Sequence, residues 1–176
     1  MKTLIISAHQ YFDKSRANKA MREAVSGLEG VEFRLLDEIY GSDILAIDVK
    51  KEQELLTKAQ NIVFQFPLFW YSMPPMLKAY QDAVFTYGFA HGSTGKALEN
   101  KNFHIATTLG SGLEKYGKDA SDGLENLKAI LKPLYGMSKF CSMKMGDIFV
   151  GDGIFAKSDE DITQLAKNYK EFISNL

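Results

Sequence analysis

The sequence is poor in cysteine: Cys141 is the only one among 176 residues. One thiol cannot form a disulfide or a cysteine-based zinc site within a single chain, and such usage is typical of proteins of a reducing compartment. We therefore expect a cytoplasmic protein. Cys141 stands in an apolar run with no activating neighbour, so we interpret it as a small buried hydrophobe in a strand.

An excess of charge of one sign is also missing. Lys and Arg total 21, Asp and Glu total 22, and no long run of either sign occurs. Such a balance argues against nucleic acid as the main partner. With 45% apolar residues, the composition is that of a globular protein, and we expect residues 1–176 to form one domain.

The longest stretch without charge covers residues 59–77. It has 19 residues, near the length of a membrane span, but it contains Pro67, Pro74 and Pro75 together with several amides. Prolines end or kink a helix, so we predict a buried strand followed by an irregular loop. We do not expect the chain to be embedded in a membrane.

Apolar runs and helical periodicities alternate along the chain. The first run is residues 3–7, a short β-branched strand of the kind that is buried on both faces of a sheet. The predicted strands cover residues 3–7, 31–37, 61–66, 103–108 and 140–150. The predicted helices cover residues 17–28, 51–59, 76–84 and 124–134, with a last one after the N-cap Ser158.

Parallel strands need crossover connections, and right-handed crossovers place helices on both faces of the sheet. The alternation therefore predicts an α/β fold, a three-layer sandwich around a five-stranded parallel sheet of order 2-1-3-4-5. Ligands of such folds bind beyond the carboxyl ends of the strands at the topological switch. The loops after strands 1, 3 and 4 are thus the candidate binding loops.

The first of these loops leads from His9 into a helix that begins near Ser15, Arg16 and Asn18. Unpaired N–H groups at a helix N-terminus bind anions, and serine and asparagine side chains add donors, so a phosphate would fit. An equally good interpretation is structural, with Ser15 as an ordinary N-cap and His9 as a histidine at a strand end.

The second loop is rich in aromatic residues. Residues 64–89 contain nine of the 21 aromatics, and Phe69, Trp70 and Tyr71 fall in a segment bounded by prolines. Aromatic side chains at a binding edge favour a flat aromatic ligand or a protein interface. We favour both together over plain core packing.

The third loop, residues 107–112, ends in Gly110, Ser111 and Gly112, and Tyr116 follows it. Glycines permit close approach of the backbone to a ligand, although a flexible turn would use them equally well. Two known phosphate motifs are excluded. Lys115 stands where a dinucleotide fingerprint needs its third glycine, and Ala97 where a P-loop needs Ser or Thr. The three histidines lack metal-ligand spacing, and no metal site is expected.

Four segments of the sequence together resemble a known family. They are His9 with the SRAN of residues 15–18, the block QFPLFWYSMPPMLK of residues 65–78, the GFA of residues 88–90, and Thr107-Thr108. They resemble the flavodoxin-like NAD(P)H:quinone oxidoreductases. This group includes DT-diaphorase, the modulator of drug activity B type and the ancillary reductases of glutathione-gated potassium efflux. The likeness covers nearly the whole chain.

The resemblance implies a bound flavin at the candidate loops. Its phosphate would lie on His9, Ser15, Arg16, Ala17 and Asn18. Its ring would lie against Pro67, Leu68, Phe69, Trp70 and Tyr71 on one side, and Thr107, Thr108, Leu109, Gly110, Ser111 and Tyr116 on the other. Tyr116, Phe69 and Tyr71 would face the substrate as catalytic residues. Family members carry a histidine after that tyrosine, whereas residues 118–123 contain none.

The activity that the resemblance implies is two-electron reduction of quinones or related electrophiles. NAD(P)H would give hydride to flavin N5 and leave, and the acceptor would then take its place, which is a ping-pong order. FMN is expected rather than FAD, because the chain ends with its last helix and has no extension for an adenine. A homodimer with a shared site is also implied.

Two other functions stay open from the sequence. The chain could be a regulatory subunit that contacts a membrane potassium-efflux transporter peripherally, as the ancillary reductases do. It could also be a flavodoxin-type electron carrier without enzymatic activity, although such carriers are strongly acidic and this chain has a net charge of −1.

Overall fold

A computed structural model describes residues 2–176. Its strands are β1 (Thr3–Ser7), β2 (Val31–Leu35), β3 (Asn61–Pro67), β4 (Asn102–Thr108) and β5 (Lys144–Gly151). Its α-helices are α1 (Arg16–Val25), α2 (Leu36–Tyr40), α3 (Val49–Lys58), α4 (Pro75–Val84), α5 (Ala120–Ile130), α6 (Lys132–Phe140) and α7 (Asp159–Ser174).

The five strands form one sheet in the order β2-β1-β3-β4-β5, and all four pairings are parallel. The predicted α/β fold and strand order are therefore confirmed. At the carboxyl edge, Ser7 pairs with Leu35 and Gln65, while Thr108 pairs with Pro67 and Gly151. This register brings the loops that follow β1, β3, β4 and β5 to the same edge.

The sheet separates two hydrophobic cores. Successive side chains of a strand point to opposite faces, so Leu4 and Ile6 pack on one side and Ile5 on the other. Helices α1 and α7 cover the Ile5 face, where Met21 and Tyr169 are fully buried. Helices α3 to α6 cover the opposite face. The binding edge thus stands on a sheet that is packed on both sides.

The structure corrects several predicted boundaries, and the first helix, for example, ends at Val25 rather than at residue 28. The second strand ends at Leu35 rather than at residue 37, because Leu36 begins α2, whose first turn carries acidic residues that suit a helix N-terminus. The helix predicted over residues 124–134 is two helices, since Pro133 lacks the N–H needed to continue α5. The fifth strand begins at Lys144, not at residue 140.

Because β5 begins at Lys144, Cys141 does not lie in a strand as predicted. It is the C-cap of α6, and it is buried as predicted. Burial raises the pKa of its thiol to about 11, so the thiol stays protonated at neutral pH. The chain turns into β5 at Ser142, which has a positive φ of 57°.

A buried ion pair lies between β2 and α3. The Arg34 guanidinium donates from Nε to both carboxylate oxygens of Glu52 at 3.1 Å, and the Tyr40 hydroxyl donates to Glu52 Oε1 at 2.5 Å. The Glu52 side chain is completely buried. Burial and the bond to Glu52 raise the pKa of Tyr40 to about 12. The Glu52 carboxylate thus accepts from both Arg34 and Tyr40, and such pairing is the condition for tolerating a charge in a core.

None of the helices within residues 2–176 combines the length and the apolar composition needed to cross a membrane. The uncharged segment 59–77 is instead β3, a loop, and the first residues of α4.

Candidate functional site

A cleft of about 570 Å³ opens at the carboxyl edge of the sheet, above β1, β3 and β4. The chain leaves β1 for α1 on one face and β3 for α4 on the other, so this is the topological switch point where such folds bind ligands. Its wall consists of His9, Tyr11, Lys14, Ser15, Arg16, Asn18, Pro67, Leu68, Phe69, Thr108, Leu109, Gly110, Ser111, Tyr116, Ile154 and Phe155.

One end of the cleft is built to bind an anion. Ser15 is the N-cap of α1, and its Oγ accepts from the backbone N–H of Asn18 at 3.2 Å. The backbone N–H groups of Arg16 and Ala17, in the first turn, have no partner within the helix and carry the positive end of its dipole. Lys14 adds a positive charge at the same end, and the Arg16 guanidinium also lies there, paired with Asp159 at 2.5 Å.

His9 contributes a donor beside this end. Its Nδ1 accepts from the backbone N–H of Tyr11 at 3.1 Å, and its own backbone N–H donates to Asp37 at 2.7 Å. Burial lowers the pKa of His9, with Asp37 opposing part of the shift. The imidazole is therefore neutral at neutral pH, and since Nδ1 is an acceptor the proton lies on Nε2, which can donate to a ligand.

The loop after β3 forms the aromatic side of the cleft through a tight turn. Phe69 and Ser72 exchange backbone hydrogen bonds at 2.9 and 3.0 Å, and the two residues between them, Trp70 and Tyr71, have φ of 47° and 61°. Two positive φ values define a type I′ turn, which favours Asn-Gly and strains larger side chains. The turn keeps Phe69 in the wall, edge-on to His9 with ring centroids 5.5 Å apart.

The opposite side of the cleft is a pair of loops that follow β4 and β5. Backbone bonds join them: Ile154 donates to Leu109 at 3.0 Å, Phe155 to Gly110 at 3.0 Å, and Gly153 to Ser111 at 2.9 Å. A Cβ on Gly110 would lie 2.4 Å from the Phe155 ring, so glycine permits this approach. The two loops form one wall with backbone donors and acceptors tied in place.

Tyr116 closes the cleft beside the aromatic loop. It follows a 3₁₀ turn over Leu113–Lys115, and the Leu113 backbone N–H donates to Asp152 at 2.9 Å. The Tyr116 ring contacts the Tyr71 ring edge-on, with centroids 6.1 Å apart. Burial raises the pKa of the Tyr116 phenol, and Tyr71 adds to the shift, so the group keeps its proton at neutral pH.

The structure brings most of the predicted binding residues into the cleft wall, with four exceptions. Ala17 packs in the core between α1 and α7, so only its backbone could reach a ligand. Thr107 is fully buried beneath the edge. Trp70 points to solvent with 95% of its surface exposed, and Tyr71, 65% exposed, lies at the rim against Tyr116.

Four wall residues were not among the predicted set: Tyr11, Lys14, Ile154 and Phe155. The last two belong to the loop after β5, which was not among the three predicted binding loops. Because β5 is parallel to β4 and adjacent to it, its carboxyl end meets the same edge. The sequence feature that could have indicated this loop is the apolar pair Ile154-Phe155, which follows the glycines Gly151 and Gly153.

Three comparisons with known proteins agree with this architecture. A family model described as "Flavodoxin-like fold" matches residues 1–173. General stress protein 14 of Bacillus subtilis (strain 168) is 40% identical over 173 residues, which is 98% of this chain and 97% of that protein.

Two solved structures extend the comparison. The crystal structure of general stress protein 14 from Treponema denticola, in complex with FMN, superposes with a TM-score of 0.90 at 31% identity, covering 99% of each chain. An NADPH-quinone reductase from P. pentosaceus gives a TM-score of 0.85 at 26% identity, covering 100% of this chain and 99% of that one. The resemblance inferred from the sequence is thereby confirmed, and the chain belongs to the family with the flavodoxin-like fold.

Proposed function

We propose that residues 1–176 form one FMN-binding domain that acts as an NAD(P)H:quinone oxidoreductase. The observation that carries the proposal is the division of the cleft, with cationic and N–H donors at one end and apolar and aromatic walls at the other. Its volume lies within the range of about 300–1,000 Å³ that is usual for cofactor sites. The FMN-bound relative from Treponema denticola supports the same assignment.

The residues present fit an FMN group by their chemistry. A phosphate dianion needs several donors, and the first turn of α1, Ser15 and the His9 Nε2–H supply them. The two carboxylates nearby are already bonded, Asp159 to the Arg16 guanidinium and Asp37 to the His9 backbone N–H. A flat ring needs apolar walls and backbone polar atoms, which Leu68, Phe69 and the Leu109–Ser111 backbone supply. A bound flavin supplies the ability to accept and to return a hydride.

The chain's own residues then bind and orient the two substrates in turn. Phe69 and Tyr116 both line the cleft, and flat rings such as nicotinamide and quinone stack well on aromatic side chains. One aromatic rim used by both substrates gives a ping-pong order. Reduction of a quinone by hydride also needs a proton, and the Tyr116 phenol can hold one close to the acceptor oxygen.

The first experiment is a visible absorption spectrum of the purified protein, recorded anaerobically before and after one equivalent of NADPH. We expect flavin bands that bleach with NADPH and return when a quinone is added. Bands that persist after NADPH would favour the electron-carrier function. A colourless protein that takes up no added FMN would contradict the site assignment altogether.

Replacing Phe69 with alanine should separate substrate handling from cofactor binding. Phe69 lies beside His9 and Tyr11 in the wall but offers no hydrogen bond from its side chain. We expect turnover of a quinone per bound flavin to fall by about fivefold, a larger effect than that on flavin content, since one aromatic contact contributes about 1 kcal/mol. Steady-state kinetics normalised to flavin absorbance measure this, and unchanged kinetics would remove Phe69 from the substrate site.

The exposed residue next to it provides the matched control. Trp70 is larger, lies in the same turn and points away from the cleft. If the site is formed by one chain alone, Trp70→Ala should leave quinone turnover close to that of the wild type. An equal loss in both variants would mean that the turn as a whole, and not the Phe69 ring, is what the substrates need.

A further inference from the structure

A row of polar side chains runs through the core from α7 to the anion end of the cleft. Tyr169 lies on α7, Gln65 on β3 and Asn18 on α1, and each is at least nine-tenths buried. Asn18 and Gln65 are 47 positions apart in the sequence, and Gln65 and Tyr169 are 104 apart, yet the three form a continuous chain of hydrogen bonds. The chain ends on two hydroxyls of the cleft wall, those of Ser15 and Thr108.

All bonds of this row run in one direction. The Tyr169 hydroxyl donates to Gln65 Oε1 at 2.6 Å, and Gln65 Nε2 donates to Asn18 Oδ1 at 3.3 Å. Asn18 Nδ2 then donates one hydrogen to Ser15 Oγ at 3.2 Å and the other to Thr108 Oγ1 at 3.0 Å. Gln65 and Asn18 each accept from the α7 side and donate towards the cleft.

This direction decides what the hydroxyls can offer a ligand. A hydroxyl has two acceptor lone pairs and one hydrogen. Ser15 Oγ accepts from both the backbone N–H and the side-chain Nδ2 of Asn18, so its lone pairs are used and only its hydrogen is left. Thr108 Oγ1 accepts one bond, from Asn18 Nδ2, so its hydrogen is not used within the row either. We infer that the Tyr169–Gln65–Asn18 row is a positioning relay that turns the Ser15 and Thr108 hydroxyl hydrogens towards the phosphate end of the cleft.

Tyr169 fixes the direction because it is the buried end of the row. If both amides were reversed, Gln65 would donate to the Tyr169 oxygen, and the phenol hydrogen would be left without an acceptor in the core. Within residues 2–176, Gln65 is the hydrogen-bond partner that the structure gives to Tyr169. An unpaired buried donor is costly, so the reversed row is disfavoured. Reversed, it would draw both hydroxyl hydrogens inwards and present oxygen lone pairs to an anion.

This inference rests on the proposed function, and its test uses two flavins that differ only at the relevant end. FMN carries the phosphate and riboflavin lacks it. In Tyr169→Phe, the relay loses the donor that sets its direction while the ring keeps its place in the core. We expect the Kd of the apoprotein for FMN to rise by about tenfold and the Kd for riboflavin to stay unchanged. Quenching of flavin fluorescence measures both constants.

Two further variants complete the test. Tyr80 is also fully buried, but on the opposite face of the sheet, and Tyr80→Phe should alter neither constant. Gln65→Met breaks the relay at its second member and should reproduce the selective loss of FMN affinity. It serves as the decisive variant if Tyr169→Phe does not fold.

The outcomes are distinct. Equal losses for FMN and riboflavin would overturn the relay, because they would mean that these residues only support the fold. Unchanged affinity for both flavins would overturn it as well. A wild-type protein that binds neither flavin would overturn the proposed function itself, and the relay with it.

Discussion

Gly123→Ala is expected to be the most damaging single-methyl change for catalysis. Gly123 lies in the first turns of α5, where a Cβ would come within 1.9 Å of the Leu113 carbonyl oxygen and 2.7 Å of its carbon. These are backbone atoms of the 3₁₀ turn that carries Tyr116, so relief requires the turn to move. Misplacement of a substrate-contacting residue by about 1 Å costs about 100-fold in rate. We expect a loss of that order in kcat/KM for the quinone.

The same substitution should also lower the free energy of unfolding. Overpacking a tight contact costs about 1–3 kcal/mol, and urea denaturation would report it. Gly136→Ala is the matched control: Gly136 is exposed on α6, and its added Cβ would meet nothing within 4 Å. Alanine is the better helix former by about 1 kcal/mol, so this variant should be slightly more stable and fully active. Wild-type kinetics in Gly123→Ala would show that the position of Tyr116 does not limit turnover.

Glu52→Gln is expected to cause the largest loss of stability. The substitution keeps the shape of the side chain but removes the buried counter-ion of the Arg34 guanidinium, whose remaining ion-pair partner is the more exposed Glu32 at 3.6 Å. Removing one partner of a buried ion pair costs about 3–5 kcal/mol. A urea titration followed by circular dichroism should therefore show a large shift of the midpoint to lower urea.

Glu54→Gln provides the comparison on the same helix. Glu54 is exposed on α3 and should change stability by less than about 0.5 kcal/mol. Glu52 is not part of the cleft wall, so the folded fraction of Glu52→Gln should retain the wild-type affinity for FMN. If Glu52→Gln melts like the wild type, then Glu32 and water suffice for the Arg34 charge, and the buried ion pair does not stabilise the fold.

The strands and the topology followed from the sequence because they depend on local patterns and on one rule of chain connection. Residues 3–7 and 61–66 are apolar enough to be strands buried on both faces, and right-handed crossovers leave few orders for five such strands. Boundaries were less predictable. The alternating apolar residues of 31–35 are followed by one more apolar residue, Leu36, although the chain already turns into α2 there.

The candidate site was predictable where its residues are local in sequence and missed where they are not. Ser15 is recognisable in the sequence because serine is a common N-cap before a helical periodicity. The loop after β3 is recognisable because it is rich in aromatic residues. Phe155 and Tyr169 are not recognisable in this way, because the first reaches the cleft through the pairing of β5 with β4 and the second acts through Gln65. No pattern within one segment records a hydrogen bond between residues 104 positions apart.

The strained turn after β3 has an optical consequence. Trp70 is the only tryptophan of the chain, and the positive φ at residues 70 and 71 holds its indole in water at the rim of the cleft. The intrinsic tryptophan emission of the native protein therefore comes from one known point beside the site, and it should be that of a solvated indole. A shift of this emission to the blue on concentration would show that a second copy covers the rim. The protein thus contains its own fluorescent reporter for the homodimer expected from its sequence.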